Sequence, residues 1–336
     1  MSAFVKPMNP QFQTQAIERN LVTGEDVLPS FLAWRRMGLK CALVTLVNIE
    51  GGSPRALGSM MAVSSEGHYV GYLSGGCLES AVAMEAQLCI RDGQNKLVRY
   101  GRGSPYFDVQ LPCGSGIDVF IDQAPDDRII ERLMEANRNR EFVSHVTNLE
   151  TGESQVDRLP GALEIASQRD GPFFRRTVIP TVKVHLIGAG PSMAAIAHLL
   201  SSIGFILDIA TPDQSTYRDI QSFGLPARQM SDPSHAIDTN VDAWSAAILI
   251  FHDHHWEIPV IQTLLHSACF YVGVLGSNAV AAKRIAELHN AGVSPESLAR
   301  IRAPIGLIPA TKSRLSLAVS VVSELVSEAK LRGFVL

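Results

Sequence analysis

The chain of 336 residues contains five cysteines, an odd number, and none of them forms a CxxC pair. Cys41, Cys77, Cys89, Cys113 and Cys269 therefore suit neither a disulfide framework nor a four-cysteine zinc site. Runs of Lys and Arg are missing, and the formal net charge is -4, which argues against an electrostatic nucleic-acid surface. No apolar stretch approaches the roughly 18 residues of a membrane span. The first residues lack the basic start and apolar core of a signal peptide. Internal repeats and low-complexity tracts are absent too. These absences lead to the expectation of a soluble, cytoplasmic protein that binds neither nucleic acid nor membrane.

A further absence is chemical. Gly188-Ala189-Gly190 follows the apolar run 182–187, but Met193 stands where the third glycine of a dinucleotide fingerprint belongs. The acid that holds a ribose should end the second strand, about 20 residues on. Thr211 occupies that place, with Asp208 inside the strand and Asp213 after Pro212. The helix after Gly190 still offers its first amides to a phosphate. A tight strand-to-helix turn without a ligand is the other reading.

Against these gaps stand 46% apolar and 18% charged residues. That is enough for a sizeable core, and the length suits two domains of about 150 residues each. Strands are expected at 41–49, 96–100, 117–122 and 142–148, with a hairpin (60–63 and 68–73) about Ser64-Ser65-Glu66-Gly67. Helices are expected from a Thr23 cap to residue 37, over 77–91 with Gly93 as a stop, and over 126–137. The stretch 151–171 has weak periodicity and many Gly, Glu, Asp and Ser residues. Beyond it, strands at 182–187, 206–210, 246–251 and 270–274 alternate with helices at 193–202, 258–267 and 279–291. Alternation of this kind means a parallel sheet wrapped by helices. The expected fold is α/β throughout. An N-terminal α/β cofactor-binding domain spans 1–150, a linker 151–180, and a Rossmann-like doubly wound domain 181–336.

Several clusters bear chemistry. Ser74-Gly75-Gly76-Cys77 joins a strand to a helix amino terminus, where the dipole and free amides favour a reactive or metal-binding thiolate. Glu79 either accepts a proton there or complements the same dipole. A buried cysteine in a tight turn is the alternative for Cys77. Leu111-Pro112-Cys113-Gly114-Ser115-Gly116 is a second glycine loop with a thiol. Pro54-Arg55 closes a loop after the first strand, and its guanidinium either meets solvent or an ion partner, or suits an anionic ligand. His252-Asp253-His254-His255 follows a strand at the carboxyl edge of the second sheet. It reads as a ligand-bonding loop, a metal site or a polar loop. Gly276-Ser277-Asn278 enters a helix, with Ser277 or Asn278 as its cap. Cys41, Cys89 and Cys269 sit among apolar neighbours as small core residues.

Taken in order, these motifs resemble the XdhC/CoxI family, accessory proteins of xanthine dehydrogenase and related molybdenum hydroxylases. The resemblance rests on Gly52-Ser53-Pro54-Arg55, Gly58-Ser59-Met60, Ser74-Gly75-Gly76-Cys77-Leu78-Glu79 and the Cys113 loop. In the second half it rests on Gly188-Ala189-Gly190, His252-Asp253-His254, Tyr271-Val272-Gly273-Val274-Leu275-Gly276-Ser277 and Ala303-Pro304-Ile305-Gly306-Leu307. It implies a chaperone that binds molybdenum cofactor (molybdopterin), protects it, supports its sulfuration and inserts it into an apo molybdenum hydroxylase. It also implies a cysteine desulfurase as sulfur donor, a homodimer, and a maturation factor in place of an enzyme with turnover. On that reading the cofactor-binding residues are Arg55, Gly75, Gly76, Cys77, Glu79, Cys113, Gly188, Gly190, His252, Asp253, His254, Gly276 and Ser277. Cys77 serves as molybdenum ligand or sulfur relay, and Glu79 orients. The chain departs from the family pattern at Met193, at Thr211 and over Ile308-Pro309-Ala310-Thr311-Lys312-Ser313-Arg314, which bears on any nucleotide site. The alternative is an NAD(P)-dependent oxidoreductase using the Gly188 loop, with His252 or His254 as general acid.

Overall fold

A run as apolar as Cys41-Ala42-Leu43-Val44-Thr45-Leu46-Val47 needs a strand buried on both faces, and the computed structural model shows one. The structure describes residues 26–104, 114–159, 166–237, 240–251 and 254–334, without the side chains of His254 and His255. Thr23 lies outside the described residues. The chain divides into two units between Pro180 and Thr181.

In the first unit β1 (Cys41–Glu50) is central. It pairs antiparallel with β2 (Met60–Ser64) and β5 (Gly116–Asp122). Adding β3 (Tyr69–Gly71) and β4 (Lys96–Gly101) completes a five-stranded sheet of order β3-β2-β1-β5-β4. Successive side chains point to opposite faces. Ala42, Val44, Leu46, Met61 and Val63 pack with Val82, Ala86 and Ile90 of α2 (Glu79–Asp92). Cys41, Leu43, Met60 and Ala62 pack with Phe31 of α1 (Leu28–Arg36) and Ile130 and Leu133 of α3 (Asp127–Arg138). Each buried Val, Leu, Ile, Met or Phe among them contributes about 1.5–3 kcal/mol. Cover on both faces makes the strands continuous apolar runs.

The stretch 151–180 is not a linker. β7 (Ser154–Arg158), β8 (Gln168–Asp170) and β9 (Phe173–Val178) join β6 (Val143–Asn148) in a second antiparallel sheet, ordered β7-β6-β9-β8. Its strands are short and charged, and much of their surface is exposed, so the periodicity that marks a strand is weak. Phe174 is their buried anchor, against Val47, Phe120 and Leu149.

The second unit holds β10 (Lys183–Gly188), α4 (Pro191–Ser202), β11 (Ile206–Thr211), α5 (Gln214–Ser222) and β12 (Arg228–Gln229). After them come β13 (Ser245–Ile250), α6 (His254–Leu265), β14 (Tyr271–Val274), α7 (Asn278–Asn290), α8 (Pro295–Leu298), β15 (Ile301–Arg302) and α9 (Arg314–Leu331). The six strands are parallel in the order β12-β11-β10-β13-β14-β15. That is the doubly wound 3-2-1-4-5-6 order, whose switch point lies between β10 and β13. Leu186 and Ile248 face α4 and α9, while Ile187 and Leu249 face α6. α9 was not expected from the sequence, although Ala318, Val321, Val322, Leu325 and Ala329 mark its buried stripe. Among the described residues no helix is long and apolar enough to cross a membrane.

Candidate functional site

The chain reverses at one end of the first sheet through the loops after β1, after β3 and before β5. The pairings of Glu50 with Gly116 and of Met61 with Gly71 put these loops at the same end. Ser115 lies against Gly51, where an added Cβ would sit 3.4 Å from the Ser115 Cβ. Pro54 lies against Gly75, with 3.5 Å from its Cγ to a Cβ built there. The structure therefore brings the Pro54-Arg55 loop, the Gly75-Gly76 loop and the exit of the Cys113 loop together. Cys113 itself lies outside the described residues.

The loop before α2 is held from beneath by Glu79. This carboxylate is 2% exposed. Its Oε1 accepts from the amides of Leu73 and Ser74, both at 2.9 Å, and Oε2 accepts from the Leu78 amide at 3.1 Å. The Ser74 hydroxyl donates to the same carboxylate, at 3.0 Å from Oε2. Ser74 Oγ in turn accepts from the Cys77 and Leu78 amides, at 3.2 and 3.0 Å. Burial opposes ionisation, yet the amides of Ser74 and Leu73 and the Ser74 hydroxyl outweigh it and hold the Glu79 carboxyl below its usual range. Glu79 thus faces inward and serves the loop; the expected cofactor contact is taken up by the chain's own donors.

With those amides engaged, Gly75 and Gly76 take φ of +86° and +111°, a region that glycine adopts without strain. Cys77 follows them as an exposed free thiol, so it is not the buried turn cysteine of the alternative reading. Arg55 is half-buried on the neighbouring loop, its amide donating to Ser53 Oγ at 3.1 Å. Two supports were not legible in the sequence. Arg176 of β9 donates from Nε to the Gly58 carbonyl at 2.9 Å, bracing the Gly51–Ser59 loop from the stretch expected to be a linker. Arg99 bonds Asp118 at 3.2 Å and Glu50 beside it, fastening the loop end of β1 to β4 and β5.

In the second unit the loops at Gly188, Gly276 and Gly306 lie at the carboxyl edge of the parallel sheet. Ala189 donates to the Ile250 carbonyl at 2.8 Å, Leu275 to that of Leu249 at 3.0 Å, and Ile305 to that of Val274 at 3.1 Å. Gly188 is irreplaceable on steric grounds: an added Cβ would lie 2.0 Å from the Ile250 carbonyl oxygen. Met193 is fully buried in the core with Ile196 and Ala197, so the helix packs on the strand through a long side chain. Thr211 is buried, and its Oγ1 accepts from the Asp213 amide at 3.1 Å. The Gly190 amide donates to Thr216 Oγ1 at 2.8 Å. Ser277 caps α7, accepting from the Val280 amide at 3.3 Å. His252 and Asp253 lie outside the described residues, as does the side chain of His254, which begins α6.

A buried ion pair that the sequence does not reveal ties α6 to α7 and to the Gly276 loop. Arg284 of α7 donates to both oxygens of Glu257 in α6, at 2.9 and 2.8 Å, and to the Leu275 carbonyl at 3.0 Å before Gly276. Nothing in local periodicity separates such a pair from ordinary exposed charges. Among the described residues no group of three His, Cys, Asp or Glu side chains is placed to hold a metal ion.

The family model for the XdhC and CoxI family matches residues 34–101, and that for the XdhC Rossmann domain matches residues 184–325. The molybdenum cofactor insertion chaperone PaoD of Escherichia coli (strain K12) is 33% identical over 291 residues, covering 86% of this chain and 84% of that protein. A probable xanthine dehydrogenase subunit from Bacillus subtilis (strain 168) is 24% identical over 325 residues, 87% of this chain and 94% of that one. A crystal structure described as a xanthine dehydrogenase from Bacillus halodurans shares the fold with a TM-score of 0.73 at 19% identity. That match covers 92% of this chain and 96% of the other. Two family models placed on the two units, together with a relative above 30% identity across most of its length, establish that this chain belongs to the XdhC and CoxI family.

Proposed function

We propose that this protein is a carrier of molybdenum cofactor, which it binds as cargo at the loop end of the first sheet and inserts into an apo molybdenum hydroxylase of the xanthine dehydrogenase or aldehyde oxidase type. The observation that carries the reading is the Ser74–Glu79 loop, where the chain spends its own carboxylate and hydroxyl on holding the backbone and leaves a free thiol exposed. The role that names the Escherichia coli relative, 33% identical, points the same way. The cargo is an anionic pterin with a dithiolene and a phosphate. It calls for amide donors, a cation and a soft ligand. Gly75 and Gly76 supply close backbone approach, Arg55 the cation, and Cys77 the thiol, as molybdenum ligand or sulfur relay. Cys113 is assigned to the same place because its loop exits beside Gly51.

Protection of the cargo, support of its sulfuration by a cysteine desulfurase, a homodimeric state and a cytoplasmic location complete the proposal. The test is anaerobic. Wild type and Cys77→Ala are incubated with isolated molybdenum cofactor, desalted, oxidised and assayed for retained pterin fluorescence. Retention by the wild type with several-fold less in the variant is the expected result. Wild-type protein that retains no pterin would overturn the reading.

A further inference from the structure

We infer that the glycine turn of the second unit is closed by its own chain, with Thr216 and Asp213 acting as the specificity-determining residues that turn dinucleotides away. In the doubly wound fold a dinucleotide lays its pyrophosphate on the first-turn amides of the helix after the first strand, and the second glycine admits the phosphate to the backbone. Here that helix is α4, and its donors can be counted. The Gly190 amide is bonded to Thr216 Oγ1 at 2.8 Å. Residue 191 is proline, which has no N–H. The Met193 amide closes a turn on the Gly190 carbonyl at 3.1 Å. Of positions 190–193, Ser192 alone keeps an amide outside these bonds.

The bond to Thr216 is not an incidental surface contact. Thr216 is 1% exposed. Its hydroxyl proton goes to Asp213 Oδ2 at 2.7 Å, so its lone pair is turned to the Gly190 amide. Asp213 caps α5, and the same Oδ2 accepts from the Thr216 amide at 2.7 Å and from Ser215 Oγ at 2.5 Å. Those bonds from Ser215 and Thr216 keep its carboxyl at about 2, so it is charged at any physiological pH. A phosphate approaching the turn must therefore displace a buried hydroxyl and then face a carboxylate two hydrogen bonds away. Thr211 stands where an acid would grip the ribose, and its Oγ1 is taken by the Asp213 amide. The Ser192 amide apart, the phosphate, ribose and helix-packing positions are thus filled from within the chain.

This inference does not rest on the cargo reading, and its test uses no pterin. Isotope-labelled full-length wild type, Thr216→Ser and Thr216→Val are studied by amide exchange, and each is titrated with NAD, NADP and FAD while the resonances of residues 188–193 are followed. The Gly190 amide is expected to be protected in wild type and in Thr216→Ser, and to exchange about tenfold faster in Thr216→Val, which keeps the shape but loses the acceptor. No dinucleotide should move the turn resonances of the wild type up to millimolar concentration. Saturable shifts at micromolar dinucleotide, or equal Gly190 exchange in wild type and Thr216→Val, would overturn the closed turn. Should Thr216→Val fail to fold, the wild-type and Thr216→Ser titrations decide alone: saturable binding refutes it, and a protected, unmoved Gly190 amide supports it.

Discussion

Both units end their sheets in glycine loops that lead into helices, but they turn their polar groups in opposite directions. At Ser74–Glu79 the carboxylate lies under the backbone and the thiol lies outside. At Gly188–Gly190 the backbone amide itself is consumed, by the hydroxyl of Thr216. The first loop therefore presents an exposed thiol on a braced backbone, while the second spends its donor on packing one helix against another. A glycine loop before a helix reports only that the chain turns tightly there. Which way its polar groups point is set by side chains, by Glu79 at the end of the first loop and by Thr216 from another helix in the second.

The sharpest test of this difference is steric. Gly188→Ala drives a Cβ into the Ile250 carbonyl, and a loss of about 3 kcal/mol or more is expected, read as a lower urea midpoint or a failure to fold. Next comes a pH dependence confined to the first unit. His145 is held down at about 4 from 6.5, first by burial and then by the positive charge of Arg176. The unfolded chain therefore takes up this proton first as pH falls. The stability His145 brings is full above about 6.5 and is lost towards 4. His145→Gln should flatten that window by roughly 2 kcal/mol relative to wild type in denaturant titrations from pH 7 to 4. Asp122, raised by burial to about 6, works in the opposite sense over the same range, so the difference between the two proteins is the quantity to measure.

Glu79→Ala removes the acceptor of three amides and a hydroxyl, and about 2 kcal/mol should be lost. Alkylation of Cys77 would report the loop directly, and a rate in Glu79→Ala equal to that of wild type would break the proposed bracing. The smallest effect belongs to Gly76→Ala. An added Cβ meets nothing within 4 Å, so only the positive φ is penalised, by about 1 kcal/mol. A loss as large as that of Gly188→Ala would erase the contrast between the loops.

Much of this was legible in residue order. The run at Cys41 to Ile49 announced a buried strand, and the strand–helix alternation after residue 181 announced a parallel sheet. The sheet of β7, β8 and β9 was not, because short strands bearing Asp157, Arg158, Arg169 and Arg175 lack an apolar period, and only pairing with β6 gives them a register. α6 begins at His254, four residues earlier than expected, since its first turn carries polar residues and Glu257 points at Arg284. The missing third glycine was visible, whereas the fate of its neighbour's amide was not.

The sequence by itself therefore determined the central strands of the two larger sheets, the two glycine loops, the thiol and the family motifs, because spacing and residue type act locally. The tertiary structure alone decided that Glu79 faces inward, that Arg176 braces the Gly58 loop, and that Thr216 closes the Gly190 turn. The bonds of Arg176 and Thr216 join segments far apart in the chain, while those of Glu79 turn back on its own loop, and residue type and spacing encode the direction of none of them.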